Sequence, residues 1–156
     1  MKSKYPINIT ILDKPEKSYI ISTSIETLHN FMNLRLELSF IESDYIFLTE
    51  TLKRILSVLS KEKKKDPRLF WLIGDFINKY LDRLSDLGYY LMNQNKTISR
   101  DIEISESSIK KIMAFRSRFP KISSVDPLIS WEKYRENKVK LDKNSINHEK
   151  IRHKDS

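Results

Sequence analysis

The 156-residue sequence contains no cysteine. Disulfides, thiolate zinc sites and cysteine nucleophiles are therefore excluded, and the chain fits a reducing compartment. Glycine is nearly as scarce, with only Gly74 and Gly88. Folds built on many tight turns are disfavoured, as are glycine-rich phosphate loops, because both rely on conformations that glycine reaches most easily. No window approaches the roughly 18 uninterrupted apolar residues of a membrane span. The first residues, Met1, Lys2, Ser3, Lys4, Tyr5 and Pro6, lack the apolar stretch of a secretory signal. A soluble, cytoplasmic protein with no membrane association is expected. Histidine is limited to His29, His148 and His153, at spacings that suit no chelate. Acidic residues are scattered, and Asp75, Asp82 and Asp86 follow the spacing of a solvated helix face. No catalytic residue, metal or cofactor is therefore assigned, and the chain is expected not to be an enzyme.

What is abundant is positive charge. Lysine and arginine number 29 against 21 acidic residues, a formal net charge of +8. The excess is uneven, since residues 1–93 hold 14 basic against 12 acidic side chains and residues 94–156 hold 15 against 9. A polyanion partner is implied, with the C-terminal part as its seat. A high pI is also common where codon usage favours Lys, Ile and Asn. The chain has the length of one domain. Its 39% hydrophobic and 32% charged content suits a folded body with solvated ends.

Hydropathy changes period along the chain. Residues 7–12 alternate apolar side chains at Ile7, Ile9 and Ile11, and residues 18–22 form a second short strand beyond Pro15. An N-terminal hairpin or arm over 1–23 is expected, and a lone hairpin must dock on something to be stable. From Ser24, a suitable N-cap, apolar residues recur near helical spacing at Ile25, Leu28, Met32, Leu36, Phe40, Tyr45, Leu48, Leu52, Ile55 and Leu59. Residues 24–60 are expected to carry assembly as two helices broken near 42–44, with one long helix as the alternative. Phe31, Leu34, Leu38 and Phe47 lie off the main stripe and suggest an oligomer seam, hence a homodimer.

Lys61 to Asp66 form a charged connector that includes Lys63, Lys64 and Lys65, and Pro67 suits the first position of the next helix. That helix is expected over 67–93, with Gly74 and Gly88 explained by close packing of a neighbour. Further helices are expected over 106–119, stopped by Pro120, and over 126–138, capped by Asp126, with Leu128, Ile129, Trp131 and Tyr134 turned inward. The aromatic side chains Trp71, Trp131, Tyr89, Tyr90 and Tyr134 are expected mainly as core. Residues 139–156, few of them apolar, are expected as a disordered basic tail.

Residues 98–113 read Ile-Ser-Arg-Asp-Ile-Glu-Ile-Ser-Glu-Ser-Ser-Ile-Lys-Lys-Ile-Met. A small residue, Ser99, allows two short helices to cross closely, while Ile98, Ile102, Ile104, Ile109 and Ile112 form the core between them. Ser105 is placed to cap the second helix. The segment resembles the core of a helix-turn-helix DNA-binding unit. That resemblance implies that the helix over 106–118 enters the major groove, with Ser107, Lys110 and Lys111 facing bases. Arg100, Arg116, Arg118 and Lys121 would contact phosphates. Two positions depart from the pattern: Glu103 stands where glycine is usual, and Glu106 puts negative charge at the start of the reading helix. The isoleucines at 98, 102 and 104 also alternate as a short strand would.

Residues 70–135 carry a second resemblance. Phe70-Trp71-Leu72-Ile73-Gly74, the helix ending in Arg118-Phe119-Pro120, and Ser130-Trp131-Glu132-Lys133-Tyr134-Arg135 occur in this order. They look like landmarks of the helical N-terminal domain that precedes a restriction-type nuclease domain in certain uncharacterised bacterial proteins. No nuclease domain is present in this sequence, so catalysis does not carry over. The expected protein is a mainly α helical bundle with a helix-turn-helix-like unit. Residues 24–138 form its helical domain, of which 67–138 are the body. The leading functional expectation is non-enzymatic binding of duplex DNA as a homodimer. The alternatives are a helical adaptor that binds an acidic protein partner and an enzyme of unrecognised type.

Overall fold

The computed structural model describes residues 7–14, 17–23 and 31–140. Ser24, His29, His148, His153 and the tail over 141–156 lie outside these residues, and with them the expectations that concern them. The described chain is mainly helical, as the periodicity implies. It starts with the hairpin β1 (Ile7–Lys14) and β2 (Lys17–Thr23), antiparallel with Ile9 opposite Ile21. The dock that this hairpin requires was not legible. Residues Tyr89–Leu91 form β3, which pairs antiparallel with β2 through Ile21–Leu91 and Thr23–Tyr89. The order is β1-β2-β3, and the sheet is bound into the body where Ile21, Tyr89 and Leu91 join the core.

The expectation of a break near 42–44 is corrected. Helix α1 runs unbroken over Phe31–Lys61. No glycine or proline interrupts those residues, so helix propagation continues past Ser43 and Asp44. Its buried stripe crosses the same point through Ile41, Tyr45, Leu48, Leu52 and Leu59. Asp44 does not cap a helix but pairs with Arg83 at 3.3 Å. Phe40, placed on the inward stripe from spacing, is 65% exposed, and Ile41 takes the inward position.

Helix α2 (Pro67–Asp86) starts as expected, with Pro67 at its first turn and the Asp66 carboxylate accepting from the Arg68 N–H at 3.0 Å. It ends seven residues before the expected Asn93. Gly88 adopts φ 89° and its N–H donates to Ser85 O at 3.0 Å. Glycine tolerates this left-handed conformation, and the chain turns there into β3. Leu87, counted on the inward stripe of a longer helix, is consequently exposed.

Helices α3 (Gln94–Ile102) and α4 (Glu106–Arg118) follow. A short 3-10 turn over Ile122–Ser124 leads to α5 (Trp131–Arg135). The helix expected over 126–138 is thus much shorter. The Asp126 carboxylate accepts from Leu128 N–H at 2.9 Å, and Asp126 N–H donates to the Tyr134 hydroxyl at 2.8 Å. A continuous helix would separate residues 126 and 134 by about 12 Å, so the fold-back and the helix exclude one another. Ser130 takes the N-cap position instead of Asp126. Leu128, expected inside, is 77% exposed, whereas Trp131 and Tyr134 are buried as expected.

Gly74 marks where α2 and α4 cross. A Cβ there would lie 2.8 Å from Arg116 Cβ and 3.4 Å from Ile112 Cγ2. The nearest atom sits at the root of its side chain and cannot swing away. Gly74→Ala should therefore destabilise the fold by about 1–3 kcal/mol through overpacking, despite alanine's helix propensity advantage of about 1 kcal/mol. Urea unfolding monitored by circular dichroism checks this, and a stabilised variant would mean that the two helices separate easily.

Candidate nucleic-acid interface

The segment that resembles a helix-turn-helix core folds as two helices joined by Glu103, Ile104 and Ser105. The strand-like alternative for 98–104 does not form. Glu103 occupies the left-handed region at φ 62°, the conformation that explains why glycine is usual at such a turn. Its N–H donates to Ser99 O, and Ile104 N–H donates to the same oxygen at 3.0 Å. Ser105 caps α4, its hydroxyl accepting from Ser108 N–H at 3.0 Å. Ile98, Ile102, Ile109 and Ile112 are buried and Ile104 half-buried against them. Ser99 is buried too, with its hydroxyl donating to Lys96 O at 2.9 Å. A bulkier residue at 99 would require α3 to shift.

The seven residues assigned to DNA from sequence divide into three groups. Ser107, Lys110 and Lys111 lie exposed on α4, on the side opposite Ile109, Ile112 and Phe115. Ala114 and Ser117 continue this outer face, and Lys121 follows just past the helix end, also exposed. Lys110 is loosely paired with Glu106 at 3.7 Å. Arg116 and Arg118 are instead engaged by the body. Arg116 binds the buried Asp75 carboxylate at 3.1 Å and lies over the Trp71 ring at 4.5 Å, with only 20% of its side chain exposed. Arg118 donates to Tyr134 O at 2.7 Å, tying α4 to α5. Asp75, read from sequence as part of a solvated face, is therefore an anchor of the α2–α4 crossing.

Arg100 belongs to a third environment. Its Nε donates to Asp101 at 3.0 Å, and Asp101 is buried. The Asp101 carboxylate also accepts a 2.5 Å hydrogen bond from the Tyr45 hydroxyl of α1. The sequence held no signal for this contact, which spans 56 positions. Burial, reinforced by the Asp101 hydrogen bond, pushes the Tyr45 hydroxyl far above the usual tyrosine value of 10.0. A folded-state value above the unfolded one stabilises fully below the unfolded value, and that stability is lost as pH rises beyond it. Above pH 10 the wild type should lose up to about 1.4 kcal/mol per pH unit more than Tyr45→Phe. Equal alkaline slopes for the two proteins in denaturant titrations would contradict a buried, hydrogen-bonded Tyr45.

The sequence also passed over a basic cleft. Lys63, Lys64 and Lys65 from the α1–α2 connector face Ser130, Trp131, Glu132 and Arg135 across a space of about 410 Å³. Lys64 donates to Leu128 O and Lys65 to Leu59 O, each at 3.0 Å. The lysine run was visible, but its partner wall depends on the fold-back at Asp126.

Among the described residues, no group of three or more His, Asp or Glu side chains is placed to hold a metal ion, and no helix is long and apolar enough to cross a membrane. No family model, curated protein or solved structure matches the chain.

Proposed function

We propose that the chain is a non-enzymatic DNA-binding protein that lays the outer face of α4 in the major groove of duplex DNA. One observation carries the proposal: the face formed by Ser107, Lys110, Lys111, Ala114 and Ser117 is exposed along the whole helix. Thirteen helical residues span about 20 Å, and small side chains beside two lysines let a helix sit deep in a groove about 12 Å wide. Lysine donates well to guanine O6 and N7. The acidic pair Glu103 and Glu106 flanks the start of α4 and repels phosphate there. The middle and C-terminal half of the helix therefore makes the closest approach, with Lys121 at the groove edge. Two packed helices joined by a three-residue connection, with Glu103 left-handed at φ 62°, support the reading.

A second copy of the chain completes the proposal. Phe40, Phe47 and Val58 lie on one stripe of α1, and Phe47 is 71% exposed. Large apolar side chains aligned in this way favour association. A two-fold dimer would present two α4 helices to a palindromic site.

The test is fluorescence anisotropy with a duplex library at two salt concentrations. Lys110→Ala with Lys111→Ala should abolish sequence preference and leave the melting temperature unchanged. Absence of duplex binding at low salt, together with a co-purifying acidic protein that survives nuclease treatment, would overturn the proposal in favour of an adaptor.

A further inference from the structure

The basic cleft between the α1–α2 connector and α5 has no role in groove insertion, yet its construction is that of an anion site. Four cations, Lys63, Lys64, Lys65 and Arg135, line it against the single carboxylate of Glu132. The Lys64 and Lys65 ammonium groups each spend one donor on a backbone carbonyl. Each ammonium has three donors, so two remain for a ligand. Those bonds also hold the lysine stems in place, which lowers the ordering entropy lost on binding. The Arg135 Nε–H is buried and has no acceptor among the described residues. Buried donors are normally satisfied, so this N–H calls for an acceptor beyond the described residues, which a bound anion would supply. The Trp131 indole, stacked on Phe70 at 4.1 Å, forms a rigid wall.

The α5 wall of the cleft packs against α4, with Arg118 of α4 donating to Tyr134 O at 2.7 Å. Glu136, at the end of α5, is held below the usual carboxylate range chiefly by Lys138, with smaller contributions from Arg135 and Lys111. Arg135 of the cleft and Lys111 of α4 thus lie within electrostatic reach of the same group. The Arg118–Tyr134 bond fastens α4 to α5, and the Lys64–Leu128 bond fastens the connector to the loop that leads into α5.

We infer that the cleft formed by Lys63, Lys64, Lys65 and Arg135 clamps the phosphodiester backbone of the duplex whose major groove α4 occupies. This inference rests on the DNA-binding reading above. It moves the main backbone contacts from Arg116 and Arg118, which the body engages, to the connector. The clamp fixes register and carries no base specificity.

Anisotropy with the full chain, from 50 to 300 mM salt, separates the two ideas. The triple variant Lys63→Ala, Lys64→Ala, Lys65→Ala should keep sequence preference and lose affinity uniformly. Each lost phosphate contact lowers the log–log salt slope by about 0.9, equivalent to roughly eightfold in affinity at 0.1 M salt. A slope reduced by about 2–3 is therefore expected. Glu132→Gln, which removes the carboxylate from the cleft, should raise affinity about 2–10-fold at low salt. If the triple variant leaves the slope unchanged while Lys110→Ala with Lys111→Ala abolishes preference, the clamp is wrong and groove insertion stands. If the triple variant flattens the slope while the α4 variant retains preference, the clamp stands and groove insertion is wrong. A wild type that binds no duplex at low salt overturns both.

Discussion

Replacing Phe115 by alanine will lower the unfolding free energy by about 3–5 kcal/mol, the range for emptying a fully enclosed aromatic site. Phe115 is fully buried on α4 and is surrounded by three aromatic side chains. Its ring centroid is 5.0 Å from Trp131, 5.1 Å from Tyr134 and 5.4 Å from Phe119, in tilted and edge-on arrangements that suit the ring quadrupoles. The walls of the resulting cavity cannot collapse inward. Trp131 is stacked on Phe70, and the Tyr134 hydroxyl is held by the Asp126 N–H. Phe119, the third wall, is held through its carbonyl, which accepts from Trp71 Nε1–H at 2.6 Å. Leu128→Ala, only a few residues from the same cluster, should change stability by less than about 0.5 kcal/mol because the side chain is in solvent. Tryptophan fluorescence in a urea titration reads both variants through Trp71 and Trp131. A loss below about 1.5 kcal/mol for Phe115→Ala would mean that α5 is loosely attached and that the cleft behind it is not a fixed surface.

This cluster also marks how far the sequence can be read. The landmarks Phe70 with Trp71, Phe119 with Pro120, and Trp131 with Tyr134 were visible as aromatic punctuation. The structure brings Phe70, Trp71, Phe119, Trp131 and Tyr134 into one core. Local signals located α4 and the start of α2, through the cap Ser105 and the proline at 67, whereas α3 was implied only by the helix-turn-helix resemblance. Local signals failed where distant partners decided the outcome. Tyr89–Leu91 became a strand because β2 offered a free edge, which no window around residue 89 contains. The segment after Asp126 folds back because Tyr134 returns to bond it. For the candidate interface, Lys110 and Lys111 were legible as the outer face of an amphipathic helix. The fate of Arg116 was not, since its partner Asp75 lies 41 positions away. An arginine next to an exposed lysine looks the same in sequence whether it faces solvent or a buried carboxylate.

In the two-fold dimer proposed above, substituting aspartate at both Phe40 and Phe47 should leave a monomer of 18.6 kDa, as read by light scattering at micromolar concentration. The two rings lie seven residues apart on α1, 65% and 71% exposed, so their replacement leaves the described core untouched. In a two-fold dimer each substitution acts twice. Burying the exposed two-thirds of each phenylalanine contributes roughly 1–2 kcal/mol, so four rings contribute roughly 4–8 kcal/mol to association. The same four rings supply roughly 400–700 Å² of the roughly 1,200–2,000 Å² that a stable interface buries. Losing them, and burying carboxylates in their place, should weaken association by more than about three decades. The consequence for DNA is separable from the consequence for mass. Two tethered α4 helices on one palindromic site exceed a single helix in affinity by about 10²–10⁴ through effective concentration alone. The monomeric variant should therefore lose its advantage on palindromes while binding a half-site as the wild type does. A wild type that is already monomeric at tens of micromolar would remove the two-fold reading, and single-copy binding would then depend on α4 and the neighbouring basic cleft.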